Sequence, residues 1–197
     1  MEQFLNELNA LHIADYIGLI TGILYVVLAA RGKRLCWVFG GISSLSIAYG
    51  GFFLYQLYSD GILNLIYFGM AVWGIIAWNK SGGSTIQVTK LKSQSHVRYI
   101  LVSVLAAIPI SYLFGQYTDA ALPFLDASTT CLALSATIMT IRKNLESWLY
   151  WLVIDLVYVG IYFSQGAWLY SLLFVVYIIV AIQGFLNWQV FFKKSTI

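Results

Sequence analysis

Asp155, the one carboxylate inside the apolar stretch that begins at Glu146 and ends at Tyr162, is the residue of this sequence that most clearly could do chemistry. Aromatic residues share its helical face at spacings of three and four, namely Trp148, Trp151, Tyr158 and Tyr162. A carboxylate at the centre of a bilayer costs about 3 kcal/mol on insertion scales, so it rarely faces lipid. The pattern predicts a polar cavity walled by aromatic rings, suited to a flat, polar, cationic molecule. One alternative is a structural carboxylate held by Ser or Tyr hydroxyls between helices, and another is a protonated Asp155 that donates a hydrogen bond to the ligand.

Uncharged polar side chains deep in other apolar segments form a second set of candidates. Asn64 and Gln183 offer both hydrogen-bond donors and acceptors, as a ribose or a carboxamide requires. Thr130 is a weaker candidate, because Ser and Thr hydroxyls often bond back to their own helix. We therefore expect Asn64 and Gln183 to contact a ligand before Thr130 does.

The supply of aromatic residues is large, with seven Trp and fourteen Tyr. The rings expected in the interior are Trp73, Trp78, Tyr158, Tyr162, Tyr177 and Trp188. The rings expected in the interfacial belt at the membrane surface are Trp37, Trp148 and Trp168. A ring beside a bound cation contributes about 1–2 kcal/mol. For any single ring, ordinary packing is an equally good explanation.

Composition places these residues in a membrane. The chain has 197 residues, of which 60% are hydrophobic and 10% charged, and its mean hydropathy is +0.81. A soluble domain carries about 25% charged residues. We predict an all-α integral membrane protein with seven spanning helices, at 12–30, 35–55, 61–78, 99–115, 121–140, 148–163 and 168–188. The acidic N-terminus lacks the basic region of a signal peptide, so we expect the first segment to stay in the protein.

The distribution of charge predicts the orientation of these segments. All 11 Lys and Arg residues fall in the first, third and fifth loops and the C-terminal tail. The opposite face carries the acidic residues Glu2, Glu7, Asp60 and Asp119. By the positive-inside rule the N-terminus lies outside and the C-terminus in the cytoplasm. The basic residues of the long polar third loop, 79–97, then reflect topology, and we expect no nucleic-acid partner.

An internal repeat divides the chain. Asp15, Arg31 and Trp37 recur 111 positions later as Asp126, Arg142 and Trp148. Tyr67, Gly74 and Trp78 recur 110 positions later as Tyr177, Gly184 and Trp188. We predict a 3+1+3 parallel repeat, with a first three-helix bundle at 1–79, a loop and connector helix at 80–120, and a second bundle with the tail at 121–197. Substrate would bind between the two bundles near the midplane.

Several chemistries find no support in the residues. There is no GxxxxGK[ST] motif, and every lysine lies in a loop or the tail. His12, His96, Cys36 and Cys131 show no metal-ligand spacing. We therefore predict neither an enzyme nor a cofactor or metal. An intramembrane enzyme and a membrane sensor or scaffold that binds without transporting are the rival classes.

The C-terminal half, from Asp126 through Arg142, Lys143, Glu146 and Trp148 to Trp188, together with the stretches 67–70 and 73–78 of the third segment, resembles the bacterial nicotinamide riboside transporter family (PnuC type). The resemblance covers roughly 12–190, and its most specific part is an RK-x-x-E-x-W block formed by Arg142, Lys143, Glu146 and Trp148. It implies a fold like full-length SWEET-type transporters in the bacterial inner membrane. It also implies facilitated diffusion of a vitamin precursor, with a cytoplasmic kinase trapping the substrate by phosphorylation. The sequence leaves homo-oligomerisation open.

Departures from the family pattern concern the cargo. Nicotinamide riboside members end the third helix in W-x-x-W, whereas here Ile75 precedes Trp78 and Trp73 is displaced by two. A Gln expected in that helix is Asn64, and a position that can be an amide is Asp155. Nicotinamide riboside and thiamine are both flat cations that suit an acidic aromatic site. We expect nicotinamide riboside first, with thiamine as the alternative and riboflavin a cargo of relatives.

Overall fold

The computed structural model describes residues 9–79, 86–117 and 123–195, and within these ranges it contains seven long helices. They are α1 (Ile13–Ala30), α2 (Cys36–Tyr49), α3 (Tyr58–Asn79), α4 (Ser93–Tyr117), α5 (Pro123–Ile141), α6 (Ser147–Ser164) and α7 (Trp168–Ser195). Each is long and apolar enough to cross a membrane, α2 together with the turn that follows it, which confirms the predicted number of spans. Three of the acidic residues used for orientation, Glu2, Glu7 and Asp119, lie outside the described residues.

The bounds of three elements differ from the predicted ones. Helix α4 begins at Ser93, so the end of the expected polar loop is helical, and α7 continues past Trp188 to Ser195. Helix α2 passes into a π-helical turn, Gly50–Leu54. Glycine is needed in that turn, because a Cβ on Gly51 would lie 2.9 Å from the backbone nitrogen of Gly61 in α3. Gly51 and Gly61 thus allow the two backbones to meet.

The helices pack in a closed order of neighbours. Helix α1 packs on α2, α2 on α3, α3 on α5, α5 on α6, α6 on α7, and α7 on α1. Helix α4 packs on α5. We call α1–α3 the first bundle and α5–α7 the second bundle. The bundles meet along α1 with α7 and α3 with α5, which leaves their inner faces directed at each other.

The largest apolar cluster lies where α1, α3, α5 and α7 end, which we call the basic end because the neighbouring loops carry Lys and Arg. Four indoles at its centre, the Trp cluster, are Trp37, Trp78, Trp148 and Trp188, with neighbouring ring centroids 5.4–6.1 Å apart. Trp37 is 1% and Trp148 3% exposed, so their expected place in an interfacial belt was wrong.

Two glycines explain why these indoles are inside. A Cβ on Gly184 would lie 2.7 Å from the ring of Trp148, and one on Gly74 would overlap the ring of Trp37. Each indole therefore rests on a helix backbone where any other residue would block it. The two contacts have the same form in the two bundles, at offsets of 110 and 111 residues along the sequence.

The part of the third loop that the structure describes is extended and lies across the basic end. We call residues 86–92 the strap. Its Thr89 pairs with Asn144 in an isolated parallel β-bridge within the loop between α5 and α6. Val88 is buried in the apolar cluster. Lys143, beside this bridge, has a φ of +60° and is buried with its Nζ 5.7 Å from the centre of the Trp78 ring. Burial lowers the pKa of Lys143 below its usual range.

Candidate functional site

Asp155 lies on the inner face of α6 and is 3% exposed. Among the residues that the structure describes, no hydrogen-bond partner reaches its carboxylate. The hydroxyl of Tyr177, on α7, is close enough for an electrostatic interaction with it. A buried carboxylate without a partner is unfavourable, and a bound cation would relieve that cost. The site is therefore chemically suited to binding a positive charge.

An aromatic stack extends from this carboxylate toward the end of the helices opposite the basic end. Tyr158 and Tyr162 of α6 stack on Phe174 of α7, with ring centroids 4.7 and 5.5 Å apart and planes within 29° and 14°. Tyr170 extends the stack, 5.4 Å from Tyr162. Tyr177 meets Phe174 edge-on at 5.6 Å. The structure thus brings Asp155, Tyr158 and Tyr162 together, as their spacing on one helix suggested, and places Tyr177 of α7 beside them.

Other candidates approach this group from α3 and α5. The hydroxyl of Thr130, which is half-buried, neighbours that of Tyr158. Asn64 lies on the inner face of α3, and its Nδ2 donates to the carbonyl of Asp60 in its own helix at 2.9 Å. This bond uses the amide nitrogen, so the side-chain oxygen of Asn64 is available to accept a hydrogen bond from a ligand. Tyr67, one turn further on, interacts electrostatically with Tyr158 across the two bundles.

Two candidates lie elsewhere. Trp73 is 41% exposed and Gln183 is exposed, whereas Trp78 and Trp188 are buried. The reason is the same in both helices: five residues separate each pair, and five residues turn a helix by about 140° beyond a full turn. The interior placement expected for Trp73 is therefore wrong, and Gln183 likewise does not reach the group around Asp155.

Trp78 and Trp188 are inside but at the basic end. The indole Nε1 of Trp78 donates to the carbonyl of Ile141, and that of Trp188 donates to the carbonyl of Ala29, each at 3.0 Å. Both N–H groups are thus engaged with the opposite bundle. The two buried rings therefore pack where the two bundles meet at the basic end.

The opposite end is acidic. Asp60 in the first turn of α3 and Asp126 in the first turn of α5 interact electrostatically with each other and with Tyr162. Among the described residues, the Lys and Arg side chains lie at the other end of the molecule, in the loops of the basic end, in the first turns of α4 and in the last turn of α7. A mouth lined by carboxylates raises the local concentration of cations.

Sequence reasoning missed three aromatic residues of the site, Phe174, Tyr67 and Tyr25, the last of which interacts electrostatically with Tyr67 and Tyr177. Spacing could have found Phe174, which lies four residues after Tyr170 and three before Tyr177 on one helical face. Tyr67 carried a signal through its repeat partner Tyr177. Tyr25 carried none. In the described ranges, no group of three or more His, Cys, Asp or Glu side chains could hold a metal ion.

The comparison with known families decides what kind of protein this is. A family model described as nicotinamide mononucleotide transporter matches residues 12–190. The chain belongs to this family. The match covers the seven helices almost completely, so the family resemblance predicted from the RK-x-x-E-x-W block is confirmed.

Relatives of this transporter family carry several names. The chain is 28% identical to the nicotinamide riboside transporter PnuC of Neisseria mucosa, over 91% of this chain and 73% of that protein. It is 25% identical to PnuC of Escherichia coli, over 88% and 84%. It is 23% identical to the riboflavin/roseoflavin transporter RibM of Streptomyces davaonensis, over 89% and 84%. These relatives are transporters and not enzymes, and the chain shares their multi-pass membrane character.

The fold is that of a solved transporter in the family. A crystal structure of the vitamin B3 transporter PnuC superposes with a TM-score of 0.75, covering 92% of this chain and 82% of that one at 24% identity. The all-helical architecture with seven membrane-spanning helices is therefore shared.

Proposed function

We propose that this protein transports a flat, cationic vitamin precursor, nicotinamide riboside first and thiamine as the alternative. The observation that carries the proposal is the buried Asp155 carboxylate, which lacks a hydrogen-bond partner among the described residues and lies beside stacked aromatic rings. A planar cation satisfies both features, through charge pairing and ring stacking. The names of the PnuC relatives support nicotinamide riboside.

The side chains take distinct roles in this proposal. Asp155 pairs with the positive ring of the ligand, and Tyr158 and Tyr162 stack on it. Tyr177 orients the Asp155 carboxylate through its nearby hydroxyl. Asn64 and Thr130 bind the polar substituents from the facing helices. Trp78 and Trp188 form the wall that the ligand meets at the basic end.

The architecture we propose is the 3+1+3 parallel repeat, with bundles at 1–79 and 121–197 and the connector between them. The closed order of neighbouring helices supports it, since α4 packs outside that order. The matched contacts of Trp37 with Gly74 and Trp148 with Gly184 support it as well. The basic end then faces the cytoplasm of a bacterium whose inner membrane holds the protein. Self-association is left open.

Facilitated diffusion is the proposed mode of transport, with a cytoplasmic kinase trapping the substrate by phosphorylation. The ligand enters at the acidic end, binds between the bundles and leaves at the basic end as the bundles rock. Accumulation in proteoliposomes should then stop at the external concentration, and dissipating the proton gradient should not change the initial rate. Accumulation above that concentration without a kinase would contradict this mode.

A thermal-shift screen of the purified protein separates the cargos. A ligand that binds the folded state raises the melting temperature with its concentration. The panel holds nicotinamide riboside, thiamine, riboflavin and their phosphates. Stabilisation by nicotinamide riboside alone supports the first cargo, and stabilisation by thiamine alone supports a change of cargo marked by Asn64 and Ile75. No stabilisation by any compound would overturn the proposal.

A sensor or scaffold would bind the same ligand without moving it. Counterflow separates the two, because only a transporter exchanges labelled ligand across the membrane of a sealed proteoliposome. An intramembrane enzyme would return a chemically altered product from the same vesicles.

A further inference from the structure

The strap, residues 86–92, is fastened to the second bundle by hydrogen bonds. The amide of Thr89 donates to the carbonyl of Lys143 at 3.0 Å, and the amide of Leu145 donates to the carbonyl of Thr89 at 2.9 Å. The Nδ2 of Asn144 donates to Thr89 Oγ1 at 3.0 Å. These three bonds hold the middle of the strap on the loop between α5 and α6.

Two further contacts hold the following residues to the same bundle. The amide of Leu91 donates to the Glu146 carboxylate at 3.0 Å, and Lys90 Nζ lies 4.8 Å from the centre of the Phe192 ring on α7. Glu146 makes no capping bond to its own helix α6. The carboxylate of the RK-x-x-E-x-W block is therefore used to hold the strap.

The contact with the first bundle is of another kind. Ile86 rests on Gly32, in the loop between α1 and α2, where a Cβ would overlap the isoleucine side chain. Gly32 has a φ of +66°, a conformation that favours glycine. Among the described residues, no hydrogen bond joins the strap to residues 9–79. Apolar contacts are non-directional, so this one can part without leaving a hydrogen bond broken.

The buried polar groups beneath the strap lower the free-energy difference between a closed and an open basic end. Four polar side-chain atoms near the basic end are buried without a protein partner in the described part of the chain, and they are Trp37 Nε1, Asn144 Oδ1, Ser147 Oγ and Trp148 Nε1. Buried polar groups without partners are unfavourable, and exposure to water would satisfy them. Hydration of these four groups on opening would therefore offset part of the free energy that is lost when the apolar surfaces separate.

From these contacts we propose that the strap is the lid of the basic end. It moves with the second bundle and opens by parting from the first bundle at Ile86 and Gly32. This inference rests on the proposed transport function, in which ligand leaves at the basic end. It assigns a conformational role to the third loop and to Glu146 that binding at Asp155 does not require.

A disulfide across the latch tests the lid. A Cβ on Gly32 would lie 3.6 Å from the Cβ of Ile86, within the range that a disulfide requires. The variant Gly32→Cys/Ile86→Cys, oxidised with copper phenanthroline, should exchange labelled nicotinamide riboside or thiamine at least tenfold more slowly than when reduced. Dithiothreitol should restore the rate. The oxidised and reduced forms carry the same substitutions, so strain at the positive φ cancels.

A second disulfide within the moving part is the matched control. Thr89→Cys/Asn144→Cys links the strap to its own bundle, and its oxidation should leave exchange within twofold of the reduced form. Exchange by the oxidised latch variant at the reduced rate would overturn the lid, and so would equal inhibition by both disulfides. If the wild-type chain exchanges neither probe, the proposed function fails, which is a separate result.

A readout that needs no ligand uses the native thiol of Cys36, which is fully buried at the basic end. Ile86→Ser weakens the latch and should raise the rate at which a water-soluble maleimide labels Cys36 at least threefold, measured by peptide mass spectrometry in detergent. Gln87→Ser, at the exposed neighbouring position, should leave the rate unchanged. Equal labelling of the two variants would contradict a latch at Ile86, whatever the ligand is.

Discussion

Trp78 of α3 donates its indole hydrogen bond to the carbonyl of Ile141, the last residue of α5, at 3.0 Å. Trp188 of α7 makes the corresponding bond to Ala29 near the end of α1, also at 3.0 Å. Each bundle therefore sends one indole into the other. The two bonds link the bundles at the basic end. A motion that opens this end must either break these bonds or move the two carbonyls together with the indoles.

These bonds predict an asymmetry among the tryptophans. Trp78→Phe should destabilise the protein by about 1–3 kcal/mol, because it leaves the Ile141 carbonyl without its donor. Trp188→Phe should cost less, because the Ala29 carbonyl still accepts from the amide of Gly32 at 2.9 Å. Trp37→Phe removes a similar volume but no hydrogen bond, since Trp37 Nε1 has no protein partner among the described residues. Melting temperatures in detergent measure the three variants. Equal losses at all three positions would mean that the indole bonds add nothing.

The Trp and Gly contacts predict that two glycines are indispensable. Gly74→Ala and Gly184→Ala place a methyl group into the rings of Trp37 and Trp148 and should destabilise by about 1–3 kcal/mol. A methyl group added at Gly69 of α3 or at Gly160 of α6 meets nothing within 4 Å, so Gly69→Ala and Gly160→Ala should be neutral or slightly stabilising. Thermal unfolding of the four variants tests this pairing, and a large loss at Gly69 or Gly160 would refute it.

Removal of the charge at Asp155 should separate stability from binding. Asp155→Asn keeps the shape but cannot carry a charge, so the unliganded protein should melt at the same or a higher temperature. The apparent affinity for a cationic ligand, measured from the rise in melting temperature with ligand concentration, should be at least tenfold weaker in this variant. Asp155→Ala should abolish uptake while the protein still inserts. Leu156→Ala, at a neighbouring exposed position, should keep both properties.

The backbone at Lys143 gives a prediction that reverses the usual ranking of Ala and Gly. Its φ of +60° is strained for any residue with a Cβ. Lys143→Gly should therefore be about 1 kcal/mol more stable than Lys143→Ala, although both lose the contact with Trp78. Denaturation of the two variants measures the difference. A more stable alanine variant would show that the positive φ is absent in solution.

Much of the fold could be predicted from the sequence because apolar length and charge alternation are local signals. The seven spans follow from composition, and the grouping of the buried Asp155 with Tyr158 and Tyr162 follows from spacing along one helix. What failed depended on contacts between helices. Trp37 and Trp148 resemble interfacial residues until Gly74 and Gly184 are seen beneath them.

Two other predictions failed, one because of the rotation between residues along a helix and one because the third loop is irregular. Trp73 and Trp78 both lie near the end of α3, but only Trp78 points inward, because five residues do not return to the same face. The strap is held in place by backbone hydrogen bonds to residues some 50 positions away in the chain, such as Thr89 to Lys143. No sequence pattern within the loop predicts these bonds.

Counterflow in proteoliposomes tests the central claim most directly. Vesicles that contain the wild-type protein and are preloaded with unlabelled nicotinamide riboside or thiamine should take up the same labelled compound, unaltered and saturably, whereas Asp155→Asn vesicles should take up at least tenfold less. Equal exchange by the two proteins would contradict a role for the buried carboxylate. Ligand-induced stabilisation of the wild type without exchange would contradict transport itself.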